Sequence, residues 1–195
     1  MNMVRLSFGT KAETLDRVAS VVTRAQVLPQ RRFTRTDWER DRGSVMHQVA
    51  DAFPGSVIVR SSAASEDQAG ASNAGRFASV LSVVGPAALS SAIDTVVGSL
   101  PLGDGQDQFF VQPMLDNVRM SGVAFSREAS SGAPYFVISY DDQTGTTDAV
   151  TSGRSAAVRT AYCHRSTMPA HRDLSRVAAL LRELETLFDC DSLDI

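Results

Sequence analysis

Between Val57 and Phe77 the chain reads V-I-V-R-S-S-A-A-S-E-D-Q-A-G-A-S-N-A-G-R-F. A short β-branched run delivers Arg60, and two hydroxyls, Ser61 and Ser62, follow it. The acidic pair Glu66-Asp67 comes next, and then a stretch of small residues containing Ser72, Gly70 and Gly75. A cation at the end of a buried strand, beside a loop of small residues, suits a polyphosphate. A guanidinium offers planar, multiple hydrogen bonds to phosphate oxygens. Glycine- and serine-containing backbone lets amide groups come close to them. A surface arginine followed by an ordinary polar loop explains the same residues equally well. Lys11, in the segment Phe8-Gly9-Thr10-Lys11, is a second candidate cation. By residue type alone it reads as a solvated lysine of a first helical turn, where the helix dipole opposes a cation only weakly.

The elements that must position these residues are legible in outline. Thr10 and Glu13 make a T-x-x-E capping box, and Ala12, Leu15, Val18, Ala19 and Val22 then fall on one helical face. An extended stretch over 26–33 contains Pro29, which suits an edge strand or a loop. A second box, Thr36 with Glu39, predicts a helix carrying Trp38, Val45, Met46, Val49 and Phe53 on its apolar side, ended by Pro54-Gly55. Residues 56–60 and 77–84 read as strands, and Pro86 as the first turn of a helix reaching Leu100. The turn-rich stretch 101–106 marks a lobe boundary, which predicts an N-terminal α/β lobe over 1–104 and a second lobe over 105–195. That second lobe reads as a meander of strands over 108–115, 118–127, 135–140 and 148–152, antiparallel because its connections are short. A final helix over 173–188 carries Leu174, Val177, Ala178, Leu181, Leu184 and Phe188.

The long segment around Arg60 resembles the V-R-S-S-A-x-x-E-D-x-x-x-x-S-x-A-G-x-F/Y stretch of the PEP/pyruvate-binding family. That family includes phosphoenolpyruvate synthase and pyruvate, phosphate dikinase. Four further segments resemble it in the same order along the chain. Gly9-Thr10-Lys11 with Leu15 and Val18 is similar to a G-G-K-x-x-x-L-x-x-L opening, with Thr10 in place of a glycine. Val111-Gln112-Pro113-Met114 is similar to a V-Q-x-M strand, and Ser121 to Ser126 to an s-G-V-x-F-T/S segment. Residues 144–153, T-G-T-T-D-A-V-T-S-G, depart from the usual G-L-G-E-x-V-V-S-G, with Asp148 where the family has Glu.

The resemblance implies an α+β, ATP-grasp-like fold of two lobes with mixed or antiparallel sheets and flanking helices, incomplete at its C-terminus. It implies ATP and Mg²⁺ as cofactors, with Lys11 and Arg60 on the phosphates as the catalytic cations. Ser61 and Ser62 join them as nucleotide-binding residues, Ser72 and Gly75 belong to a nucleotide-binding lid loop over 72–77, and Gln112, Pro113 and Met114 line the adenine pocket. Asp148 is a weak candidate for the metal. The phosphoryl group would pass to a histidine on a domain absent from this chain, and on to pyruvate or another small acceptor. On this reading the piece is inactive alone. Two other readings stay open: an ATP-grasp ligase that makes an acylphosphate, and a degenerate nucleotide-sensing domain without catalysis.

The composition sets limits on the rest. The chain has 195 residues, 43% hydrophobic and 21% charged, with a net charge of −3. Such a chain can build a core without staples, and nothing in its charge steers it to nucleic acid or to an anionic membrane. No apolar run approaches the ~20 residues of a membrane span. Cys163 and Cys190 are too far apart for a CxxC site and read as buried thiols of a cytoplasmic protein. His47, His164 and His171 have no recognisable catalytic context.

Overall fold

The structure, a computed structural model, describes residues 5–63, 78–101, 107–147, 150 and 157–195. It is an α+β fold with two sheets, and every strand pairing among the described residues is antiparallel. The chain divides into two compact units. One comprises Phe8–Ser20 and Val27–Met114, the other Met1–Ser7, Val21–Gln26 and Leu115–Ile195. The division therefore falls after Met114, whereas the sequence placed it near residue 104. The reason is the strand at Gln108–Pro113, which forms an inner strand of the first unit's sheet.

The first unit is built on four strands: β1 (Arg31–Thr34), β2 (Val57–Ser62), β3 (Ser79–Val83) and β4 (Gln108–Pro113), in the order β1-β4-β2-β3. Strand side chains alternate between the two faces, and here the two faces differ in character. Val57, Val59, Phe109, Val111 and Phe33 point to one side. There they join Trp38, Val45, Val49, Leu89, Ile93 and Val96 of the helices α2 (Arg35–Arg40), α3 (Arg42–Ala52) and α4 (Pro86–Ser99) in a single apolar core. Trp38 meets the Phe109 ring edge-on at 6.5 Å, and its indole N–H donates to Asp94 at 2.9 Å. The other face presents Arg60, Ser62, Gln108, Phe110 and Gln112. It receives helix α1 (Lys11–Ala19), whose Ala12 is fully buried.

Local signals explain most of these boundaries. The box of Thr10 and Glu13 opens α1, with both reciprocal bonds present. The second box forms at Thr34 and Asp37 rather than at Thr36 and Glu39. Strand β1 runs through Thr34, paired with Gln108 of β4, so the chain turns into helix at the residue where that pairing ends. The single helix expected there is two. Asp41 closes α2 and caps α3, its carboxylate accepting from the Ser44 amide at 2.9 Å. Pro86 does stand in the first turn of α4. In β3, Leu81 and Ser82 together oppose Ile58, and Ser82 takes a φ of 54° to accommodate this bulge.

The second unit packs helix α5 (Arg172–Phe188) on a sheet of β5 (Ser121–Phe125), β6 (Tyr135–Asp141) and β7 (Arg159–His164). Leu174, Ala178 and Leu181 from the helix cover Ala124, Phe136 and Ile138 from the strands. Arg165 and Arg182 lie over the Phe136 ring at 5.2 and 5.4 Å, and Arg165 pairs with Glu185. β7 does not follow from its sequence, R-T-A-Y-C-H, because only Ala161 and Cys163 turn toward the helix. The strand expected over 148–152 lies, apart from Val150, outside the described residues. The chain's last residues run beside β5, Ile195 exchanging two backbone hydrogen bonds of 2.9 Å with Ala124. Cys163 and Cys190 are free thiols, each half-buried rather than buried, and burial pushes the Cys163 thiol up. No described helix is long and apolar enough to cross a membrane.

Gly122 of β5 pairs with Tyr140 of β6. A Cβ there would stand 2.3 Å from the Ser139 carbonyl oxygen and 3.0 Å from the Tyr140 Cα. Both are backbone atoms that cannot swing aside. Gly122→Ala should therefore destabilise this unit by about 1–3 kcal/mol, the usual range for overpacking. Chemical denaturation monitored on both proteins checks this, and an unchanged midpoint contradicts it.

Candidate functional site

The polar face of the first sheet is ordered rung by rung. On β2 and β4, Ser62 pairs with Gln108 and Arg60 with Phe110, and Ile58 pairs with Gln112. On the far side of β4, Thr34 pairs with Gln108 and Arg32 with Phe110. Arg60 and Arg32 thus flank the same buried ring on neighbouring strands. The Arg60 guanidinium carbon lies 5.7 Å from the Phe110 ring centroid, a cation–π arrangement.

Helix α1 enters over the rung next to Arg60. Its Ala12 amide donates 2.9 Å to the Ser62 hydroxyl, a buried bond across fifty residues of sequence. Gln108 reaches the same turn from the adjacent strand. Its side-chain oxygen accepts from the Thr10 hydroxyl at 3.3 Å, and its amide nitrogen donates to Glu13 Oε1 at 3.3 Å. Gln30 donates 2.7 Å to the Ala12 carbonyl and 2.6 Å to Asp16. Lys11 is the first residue of this helix and is half-buried.

These bonds change what the helix start can do. Of its amides, that of Gly9 donates to Thr14 Oγ1, that of Thr10 to Glu13 Oε2 and that of Glu13 to Thr10 Oγ1. With Ala12 engaged by Ser62, these four amides are all taken within the fold. Gly9 is needed for this closure, since a Cβ would stand 2.5 Å from Glu13 Oε2 and 3.0 Å from Glu13 Cβ.

Charge on this face is balanced locally. The Thr10 amide, with Gln108 and the guanidinium groups of Arg32 and Arg17 behind it, holds the Glu13 carboxyl below the usual glutamate range against the opposing effect of burial. Arg32 lies 3.8 Å from Glu13 and 3.7 Å from Asp16, and Arg17 lies 3.9 Å from Glu13.

The residues singled out in the sequence fare differently. Arg60 is an interior residue of β2, two positions before its end, and not the last residue of the strand. Ser61 is 2% exposed on the core face, and Ser62 is fully buried with its hydroxyl engaged by Ala12. Gln112 is also buried, and its amide donates to the Leu28 carbonyl at 3.2 Å. Pro113 does not leave the next amide open as an adenine edge would need, because Met114 donates to the Ser56 carbonyl at 2.8 Å. Ser72, Gly75 and Asp148 lie outside the described residues.

The sequence read Glu13 as part of the capping box but missed Arg32, and it missed Gln108 and the bond by which it holds Glu13. The single available signal was parity: Gln108 stands two residues before Phe110 and so shares its face. Among the described residues no group of three or more His, Cys, Asp or Glu is disposed to hold a metal ion. His47 is exposed on α3, His164 shares a 2.8 Å hydrogen bond with Ser166, and His171 is the N-cap of α5. A cavity of about 390 Å³ lies on the core face, walled by Met46, Val49, Phe53, Val57, Val83 and Leu89. Its apolar lining is unsuited to a polyanion.

Residues 36–102 match the family model described as pyruvate phosphate dikinase, AMP/ATP-binding domain. The match covers α2 from its second residue, then α3, β2, β3 and α4, and with them Arg60, Ser61 and Ser62. Lys11 and β4 lie outside it. It supports the family suggested by the V-R-S-S segment, and it supports nucleotide binding. No curated protein matches the chain.

The Glu13 carboxyl yields a prediction with a definite sign. A folded pKa below the unfolded one stabilises the fold above the ordinary glutamate value of 4.5, and that contribution is lost as pH falls through the folded value. Glu13→Ala is expected to lower stability by about 1 kcal/mol at neutral pH, as for loss of a helix cap. The difference from the wild type should shrink once the pH drops below the mid-fours. Melting temperatures of both proteins from pH 7 down to pH 3 test this, and a gap that stays constant or widens in acid contradicts it.

Proposed function

We propose that this chain, which carries the pyruvate phosphate dikinase AMP/ATP-binding domain over residues 36–102, binds ATP with its phosphates against the polar face of the first sheet. Lys11 and Arg60 are the cations that meet them. The observation that carries this reading is the bond from the Ala12 amide to Ser62. It sets the residue after Lys11 one same-face rung from Arg60, although 49 positions separate the two cations in sequence.

The chemistry this supports is electrostatic. Phosphoryl transfer asks little covalent work of the protein and much positioning and charge stabilisation. A guanidinium fixed over Phe110 has few orientations to lose, so it can meet phosphate oxygens at small entropic cost. A lysine on a helix tied at three points is held in the same way. In the wider reading, an ATP-grasp-like unit passes a phosphoryl group to a histidine of a further domain, and from there to pyruvate or another small acceptor. Magnesium is expected with ATP, where one or two carboxylates and the phosphates themselves would hold it.

Arg60→Ala should weaken ATP binding roughly 10- to 100-fold, the loss expected for hydrogen bonds to a charged group. Isothermal calorimetry with ATP in magnesium-containing buffer, on the wild type and on variants that keep the wild-type melting temperature, checks it. Equal affinity with and without the arginine would remove Arg60 from the site.

A further inference from the structure

We infer that Gln108 is a positioning residue for Lys11, acting together with Ser62 as a two-strand clasp on the first turn of α1; this rests on the ATP-binding reading above. Ser62 and Gln108 are direct partners in the β2–β4 register, so their side chains emerge side by side on one rung. The neighbouring rung of the same face is Arg60 with Phe110. Each clasp residue takes a different part of the helix start. Ser62 accepts the Ala12 amide, and Gln108 accepts from the Thr10 hydroxyl while donating to Glu13.

The bonded residues, Thr10, Ala12 and Glu13, bracket Lys11 on both sides. A helix of nine residues is too short to hold its place by intrinsic propensity. Its register on the sheet is set by these contacts and by the burial of Ala12. Gln108 can both accept and donate, which an ionised carboxylate at that position could not. One end of its amide must accept and the other must donate, because Thr10 Oγ1 presents a proton and Glu13 Oε1 presents lone pairs. Glu13 is thereby drawn into the capping box and toward Gln108, and Lys11 is the residue that those contacts enclose. Gln108 itself touches no reacting group in this account, and its effect on the nucleotide is carried through Lys11.

A double-variant cycle on the whole chain tests this, with ATP affinity by calorimetry and melting temperature recorded for each protein. Gln108→Leu is expected to weaken ATP binding about five- to tenfold, within the range of coupling between neighbouring residues. In a Lys11→Ala background the same change should leave the remaining affinity unaltered, since the side chain it positions is gone. The exchange variant, Glu13→Gln with Gln108→Glu, reverses donor and acceptor across the same bond and should bind ATP within about twofold of the wild type. A loss from Gln108→Leu that is the same with and without Lys11 would overturn the proposal, as would an exchange variant as weak as Gln108→Leu. Should Gln108→Leu fail to fold, the exchange variant alone decides between these outcomes. A defect in Arg60→Ala with none in Lys11→Ala would overturn this inference while leaving ATP binding on the sheet intact. A wild type that takes up no ATP would instead overturn the function on which it rests.

Discussion

A single buried hydrogen bond, from the Ala12 amide to the Ser62 hydroxyl, joins the start of α1 to the end of β2. Both groups are buried, so neither can turn to water if the bond is broken, and each would then carry the full cost of an unsatisfied polar group. That asymmetry makes the contact a strong constraint on geometry even though its net contribution to stability is modest. It fixes which turn of the helix lies over which rung of the sheet. Lys11, Thr10 and Glu13 take their places from it.

The sheet serves two purposes because its two faces carry different chemistry. Val57, Val59, Phe109 and Val111 build an apolar core with three helices on one side. The alternate residues of the same strands, Arg60, Ser62, Gln108 and Phe110, make a polar surface with one aromatic at its centre. A rigid core behind a polar face is how a fold holds charged side chains in place without paying for their freedom at each binding event. Phe110 belongs to both roles: it is fully buried, yet the Arg60 guanidinium rests over its ring.

How much of this was legible in the sequence depended on the range of the interaction. The box at Thr10 and Glu13 and the proline opening α4 are local signals and stand as read; so does the stripe of α5, except that Val177 and Phe188 are only half-buried. The box at Thr36 and Glu39 lost to Thr34 and Asp37, because the pairing of β1 with β4 ends at Thr34 and so decides where helix begins. β7 could not be read, since half of its side chains face away from the helix and carry no apolar signal. The clasp was illegible for the same reason: Gln108 meets Glu13 across 95 positions, and nothing local marks a glutamine for such a partner. Residue type did identify Arg60 and Lys11 as candidates. The resemblance gave Ser62 and Gln112 to the nucleotide; in the structure Ser62 accepts from Ala12 and Gln112 donates to Leu28.

The central claim is that Lys11 and Arg60 meet one nucleotide. Nuclear magnetic resonance of the chain during an ADP titration tests it most directly, following the Arg60 side-chain Nε–H and the backbone amide of Lys11 together. The account predicts that both signals shift along one binding curve with a single shared dissociation constant. Shifts confined to one of the two, or two curves with different midpoints, would contradict it.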